Sequence, residues 1–237
     1  MKRLCYFLAA ATLLTACQTE QQQTDTQTAT AETQAAAPQV EVLFDGSSTD
    51  AWRNYNADTI SNQWQIQDGT LTMAGKGGGD IITKNEYENF LLELEWKISE
   101  NGNSGIFFHV TENDTLPAAY FTGPEMQILH NEGHPDGQIE MHRAGDNYDL
   151  QACSVETVKG PGEWNAVKLK VDQGKVEHWL NGTKVVEYEL GSDAWKAQLA
   201  KSKFADWPLY GRAGKGHIAL QDHGDPVWFR NIKVTVL

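Results

Sequence analysis

The 237-residue chain sets 19 Lys and Arg against 32 Asp and Glu, a formal charge of −13 that deepens by two if Lys2 and Arg3 leave with a leader. Binding to phosphate backbones or anionic lipid needs clustered cations, so this balance argues against nucleic acid and charged membrane surfaces as partners while leaving neutral ligands open. Of the three cysteines, Cys5 and Cys17 fall in the N-terminal region, and Cys153 stands alone, so no disulfide staples a domain.

In chain order, Lys2 and Arg3 precede an apolar run over 4–14 that is too short to span a bilayer. Leu14-Thr-Ala-Cys17 resembles the lipobox of bacterial lipoproteins, which implies cleavage before Cys17 and its acylation. Several acyl chains on one residue give stable anchoring. The expectation is a signal peptide over 1–16 and a lipid-anchored protein of the cell envelope. Gln18 after the cysteine favours the outer membrane, with the domain facing the periplasm or the cell surface. Residues 17–39 hold the lipidated Cys17 and a stretch of Gln, Thr, Ala and Glu that cannot bury enough apolar surface to fold, a flexible tether.

From Val40 to Leu237 the pattern is of one domain made largely of strands. Residues 64–67 and 70–73 flank Asp68-Gly69, a hairpin signal, and 175–180 and 184–188 flank Asn181-Gly182, another. Over 90–98, Leu92, Leu94, Trp96 and Ile98 alternate with Leu91, Glu93, Glu95 and Lys97. Over 167–171, Val167, Leu169 and Val171 alternate with lysines, and 227–237 reads as a closing strand. Only 193–204 reads as helix, with Ser192 or Asp193 as N-cap. Many short strands joined by Gly turns predict an all-β sandwich of two antiparallel sheets with one short helical insertion.

In a strand every second side chain shares a face. Over 123–129, Met126 and Ile128 point to the core and Glu125 and Gln127 away from it. Over 105–110, Ile106, Phe108 and Val110 oppose Phe107 and His109. A strand is predicted over 138–143, with Ile139 and Met141 inward and Gln138, Glu140 and His142 outward. His217, Ala219 and Gln221 oppose Ile218 and Leu220, then run into Asp222, His223, Asp225 and Arg230, more polar groups than the turn at Gly224-Asp-Pro226 needs. Carboxylates and amides grip hydroxyls and aromatic rings cover C–H faces, so this outer face reads as a sugar-binding cleft. Residues Trp195, Phe204, Trp207 and Tyr210 form either a cleft wall or a packed loop. Glu93 and Glu95 read as solvent-facing, His178 and His217 as structural, Trp164 and Trp179 as core. Arg230 has a second reading as a partner of Asp225, and Asp222 and Asp225 as acceptors of loop N–H groups.

Taken together, Leu43-Phe-Asp-Gly46 with Trp52, Asn103-Ser-Gly-Ile106, Glu125-Met-Gln127, Gly162-Glu-Trp-Asn165, Trp179-Leu-Asn-Gly182, and 216–224 through Phe229-Arg-Asn-Ile232 resemble the 3-keto-disaccharide hydrolase family. The chain departs from that pattern at His109, where many relatives carry Arg, and over 138–142. The resemblance implies an exported protein with a concanavalin A-like jelly roll that cleaves the glycosidic bond of 3-keto-glycosides. A C3 ketone acidifies the C2 hydrogen; a base removes it and the C1 oxygen is expelled. The site roles this implies are His142 or Glu125 as base, Arg230 and His223 as partners of the enolate or a hydroxyl, and Asp222 orienting His223. Gln127, His109, Glu140 and Gln221 would contact the sugar. No cofactor is required for this step, although a divalent ion held by His and carboxylate groups could take the arginine's part; the His130-x3-His134 spacing leaves that open.

Two other readings share these residues: a non-catalytic carbohydrate-binding lipoprotein, and a two-carboxylate glycosidase. Sandwich glucanases place two or three acids on one strand, where this chain has Glu125-Met-Gln-Ile-Leu-His130.

Overall fold

The computed structural model describes residues 39–237. The leader, the lipobox with Cys17 and the tether lie outside the described residues. Thirteen strands follow in order: β1 Val40–Phe44, β2 Trp52–Asn54, β3 Trp64–Gln67, β4 Thr70–Met73, β5 Ile81–Thr83, β6 Phe90–Ile98, β7 Asn103–Val110, β8 Glu125–Leu129, β9 Asn165–Asp172, β10 Lys175–Leu180, β11 Thr183–Glu189, β12 His217–Leu220 and β13 Val227–Val236. They pair antiparallel into two sheets. The larger runs β11-β10-β9-β6-β13-β4-β3, with β1 also on β13, and the smaller runs β2-β5-β12-β7-β8.

The predicted hairpins form for the predicted reason. Asp68 and Gly69 both take positive φ between β3 and β4, as do Asn181 and Gly182 between β10 and β11, the conformation whose twist matches the flanking strands. The two sheets face each other over a core of large side chains, among them Trp52, Trp96, Phe44, Phe90, Phe108 and Phe229. β6 shows the expected alternation, with every second residue buried. Its outer carboxylates are ion-paired: Glu93 with Lys168 and Lys233, and Glu95 with Arg230. The helix α1 is shorter than predicted, Asp193–Leu199, with the Ser192 hydroxyl accepting the Trp195 N–H.

The smaller sheet departs from the expected one-sided pattern. Every residue of β7 and β8 is buried, so the outer face of these strands is roofed rather than solvated. Part of the roof is the segment predicted as a strand over 138–143, which is not one. Pro135–Gln138 forms a 3₁₀ turn, Met141 takes positive φ, and Ile139 is exposed. Pro135 and the close approach of Gly137 to the Asn131 carbonyl, where a Cβ would collide, wind the chain into turns. The following residues run along the edge of β8, where Gly145 N–H bonds Gln127 O, Gln127 N–H bonds Asp146 O and Tyr148 N–H bonds Glu125 O. The edge strand is thereby covered.

The loop after β12 is held by Asp222. Its Oδ2 accepts the N–H groups of Gly77, Gly78 and Gly79 and its Oδ1 that of Gly224, while its own N–H goes to Asp80 Oδ1. Asp80, half-buried and pushed up to about 6 by desolvation, also accepts the Ala119 N–H. Asp222 is therefore a loop staple, in line with its second reading. Hydrogen bonds to a charged acceptor contribute about 1.5–3 kcal/mol each. Asp222→Ala should accordingly lower the unfolding free energy by at least about 2 kcal/mol, read as a lower urea midpoint at unchanged slope.

Candidate active site

A cavity of about 400 Å³ opens on the outer face of β7 and β8, within the size range of small-molecule sites. Its floor carries Asn103 and Phe107 from β7, Glu125 and Gln127 from β8, and Gln221 from the end of β12. Tyr148 from the β8-edge segment, His223, and the aromatic groups Tyr120, Phe121, Phe204, Trp207 and Tyr210 complete it, with Lys203 beside them. The rings are stacked: Tyr120 on Phe121 at 4.6 Å, Phe121 on Trp207 at 4.7 Å, Phe204 on Tyr210 at 3.9 Å. Phe204, Trp207 and Tyr210 therefore form a cleft wall, while Trp195 is buried in the core behind them.

Among the described residues Glu125 is the one carboxylate lining this cavity. It is buried, and burial pushes its pKa up to about 8, opposed by the charge of Lys203 and assisted by Asp80 and Asp136. Its carboxyl lies against Gly105, where any Cβ would collide with Oε1. Among the described residues no side chain or backbone N–H donates to it. Asn103 Oδ1 and Gln221 Oε1 are likewise buried without a donor, so the floor presents three acceptor groups that a polyhydroxylated ligand could satisfy.

Lys203 is the cation of the cavity wall. Its Nζ stands 4.1 Å from the centre of the Tyr148 ring, and its backbone N–H donates to Asp149 Oδ2. The other oxygen of Asp149 bonds His142 Nε2 at 2.9 Å, and the His142 ring stacks on Tyr148 at 4.2 Å. His142 is thus behind Tyr148 and does not line the cavity. The Tyr148 hydroxyl lies 3.4 Å from Asp136 Oδ2, and burial pushes its pKa upward.

Of the residues expected here, Glu125, Gln127, Gln221 and His223 are brought together, and five others, His142 among them, are elsewhere. Arg230 belongs to β13 in the larger sheet, forks onto Glu95 at 2.9 and 3.2 Å and lies 4.1 Å over Trp164. Neither the cleft nor Asp225 is its partner, and Trp164 is an outer stacking platform rather than core. His109 sits at a bulge with φ of 51°, which breaks the alternation. Its Nε2 bonds the Glu88 carbonyl and its ring packs edge-on to Phe108, away from the cavity. Glu140 is exposed in the turn region that replaced the predicted strand. Asp222 staples backbone and does not orient His223, whose Nδ1 lies instead 3.9 Å from Asp225 Oδ2. His178 and His217 bond carbonyl groups, as expected of structural histidines. The sequence reading missed Tyr148, Lys203, Tyr120 and Phe121, all on irregular segments where alternation gives no signal. Asn103 could have been found, since it opens the Asn-Ser-Gly stretch.

An antiparallel sandwich with a buried carboxyl, amides and a stacked aromatic wall in one cleft defines a lectin- or glucanase-type scaffold fitted with a small polar site. The family model described as a 3-keto-alpha-glucoside-1,2-lyase-like domain matches residues 39–235, and the chain belongs to that family. A 3-keto-disaccharide hydrolase of Bacteroides thetaiotaomicron is 39% identical over 224 residues, covering 82% of this chain and 77% of that protein. A crystal structure of a candidate glycosyl hydrolase from Parabacteroides distasonis superimposes with a TM-score of 0.77 at 34% identity, over 84% of this chain and 94% of that one. A Bacillus subtilis protein with a galectin-like fold shares the architecture at 15% identity, with a TM-score of 0.56 over 84% of this chain and 96% of that one.

The contact between Gly105 and Glu125 generates a direct test. In wild-type protein the Glu125 side-chain carbon, followed by ¹³C NMR, should titrate near pH 8. In Gly105→Ala the displaced carboxyl should titrate closer to the ordinary carboxylate range, where an unchanged midpoint would refute the packing described.

Proposed function

We propose that the chain cleaves the glycosidic bond of 3-keto-glycosides by removing the C2 proton and eliminating the C1 oxygen. The observation that carries this reading is Glu125, a carboxyl buried at the cavity floor with its pKa raised to about 8 and no donor among the described residues, in a chain of this family. A carboxylate of raised pKa is a stronger base toward carbon and is poised near neutral pH. The keto sugar lies on the floor with its C2 hydrogen toward Glu125, its hydroxyls on Gln127, Gln221 and Asn103, and its C–H faces against the aromatic wall. Lys203 supplies positive charge for the developing enolate oxygen, the part first assigned to Arg230. As the enolate collapses, C3=O re-forms, C1=C2 forms and the C1–O bond breaks. The departing oxygen takes a proton from the Tyr148 hydroxyl or from the now-protonated Glu125. Addition of water across the double bond completes a net hydrolysis.

A paired-carboxylate glycosidase is disfavoured, because among the described residues no second acid lines the cavity. A binding module would gain nothing from leaving an unpartnered carboxyl buried at its floor, a costly arrangement that catalytic sites retain. On the strength of Leu14-Thr-Ala-Cys17 the proposal extends to a lipid anchor in the cell envelope. Cys17→Ser should then shift the chain from the membrane fraction to the soluble one.

The chemistry is tested by incubating the protein with a 3-keto-disaccharide and its unoxidised parent, with loss of the keto sugar alone expected. Its kcat/KM should rise with pH and level off above about 8, as Glu125 ionises. Glu125→Gln should lower turnover by about 10²–10⁴-fold. The same variant has a stability signature. Because the native pKa lies above the ordinary value, the folded state holds more protons than the unfolded one between about 4.5 and 8, and stability falls with rising pH across that window. Glu125→Gln should therefore melt higher than wild type above pH 8; a lower melting temperature together with lost turnover would mark a structural role instead.

A further inference from the structure

Two loops meet at the mouth of the cleft. His134 precedes the 3₁₀ turn Pro135–Gln138, and His223 and Asp225 lie in the loop between β12 and β13. One ligating atom from each lies within 4.8 Å of the others. The two imidazole rings meet edge to face at 6.0 Å, and His223 Nδ1 is 3.9 Å from Asp225 Oδ2. His130, the other member of the His-x3-His pair, is not part of this group, for its Nδ1 accepts the Asn101 N–H. We propose that His134, His223 and Asp225 form a site for one divalent transition-metal ion, which leaves open coordination positions facing the bound keto sugar.

The group must contract to bind an ion. Tetrahedral ligands with bonds of about 2.1 Å stand about 3.4 Å apart, so a pair at the outer limit of 4.8 Å must close by about 1.4 Å. The partly exposed side chains of His223 and Asp225 can do so by rotation. Asp225 is already oriented, because its Oδ2 accepts the Asn103 N–H, the kind of outer hydrogen bond that fixes a ligating carboxylate. The Asp136 N–H now occupies His134 Nδ1. Ligation through that nitrogen displaces this bond, so the ion is held less tightly than in a preformed three-ligand centre. Two imidazoles and one carboxylate select Zn²⁺, Co²⁺ or Mn²⁺ over the oxygen-seeking Ca²⁺ and Mg²⁺.

The cleft also lends such an ion a task. His223 belongs to both the group and the cavity lining. The neighbouring acceptors Gln221 Oε1 and Asn103 Oδ1 are buried without donors, which water on the ion or the sugar hydroxyls would provide. An α-hydroxyketone chelates a metal through its carbonyl and hydroxyl oxygens in a five-membered ring. With C3=O and the C2 hydroxyl on the ion, the electron pair of the C2–H bond moves into C2=C3 as Glu125 takes the proton, and the charge on the C3 oxygen is neutralised where it forms. The role given to the ion rests on the keto-sugar reading; the binding does not.

The tag-free full chain, stripped with EDTA and dialysed, is titrated with Co²⁺ while visible absorption and heat are recorded. One equivalent should bind, with ligand-field bands in the visible. His223→Ala, His134→Ala and Asp225→Asn should each weaken binding by about tenfold or more. Absence of saturable binding, or binding that all three variants leave unchanged, overturns the site. Turnover of the keto sugar is then compared on stripped and Co²⁺-loaded samples. A gain on loading supports the role of the ion. Equal turnover overturns that role and leaves the keto-sugar reading standing, whereas stoichiometric binding with no cleavage of the keto sugar supports the site and removes that reading alone.

Discussion

A carboxyl buried without a hydrogen-bond donor holds its proton more strongly, and the candidate site of this protein is arranged around one such group. Glu125 would be an ordinary solvent-facing strand residue if β8 were a bare edge. Residues 145–148 bond along that edge, and the aromatic wall closes over the outer face. The residue is buried and its pKa is pushed up, which suits the part of base proposed for it. Gly105 makes room for it, and Lys203 keeps its ionised form within reach. The chemistry thus depends on the roof as much as on the strand that carries the residue.

The roof is tied together by short polar links. Asp149 receives His142 on one oxygen and the Lys203 N–H on the other, joining the β8-edge segment to the loop after α1. Tyr148 is sandwiched between the His142 ring and the Lys203 ammonium. His142 therefore packs behind Tyr148 and reaches the cleft only through that ring. On the other side of the cavity Asp222 and Asp80 hold the Gly-rich loop and the segment at Ala119, so irregular backbone on both flanks is anchored to half-buried carboxylates.

Period-two patterning and turn chemistry made most of this fold legible. The Asp68-Gly69 and Asn181-Gly182 hairpins, the alternation of β6 and the outward direction of Glu125 and Gln127 all follow from local rules that tertiary structure did not override. Those rules failed at identifiable places. A single bulged residue at His109 rotated that side chain out of register, and no local signal marks a bulge. Over 138–143 the alternation of Ile139 and Met141 was real, but Pro135 and tight packing at Gly137 favoured turns. Arg230 was credited to the cleft because it follows the polar loop closely in sequence. It stands in β13, however, and that strand has crossed to the other sheet. Tyr148 lies on a segment without period and Lys203 past the true end of α1, where only three-dimensional packing shows what they line.

The position of β13 has a further consequence. It lies inside the larger sheet, with β6 along one side and β1 and β4 in succession along the other. Contacts such as that between Arg230 and Glu95 span 135 residues of sequence. Closing loops of that length costs entropy before any contact repays it, which slows folding. Until β13 docks, the larger sheet exists only as two unjoined halves with open edges. A polypeptide with so late a keystone keeps those edges open for longer, and its larger sheet becomes continuous only when the last strand of the sequence has docked.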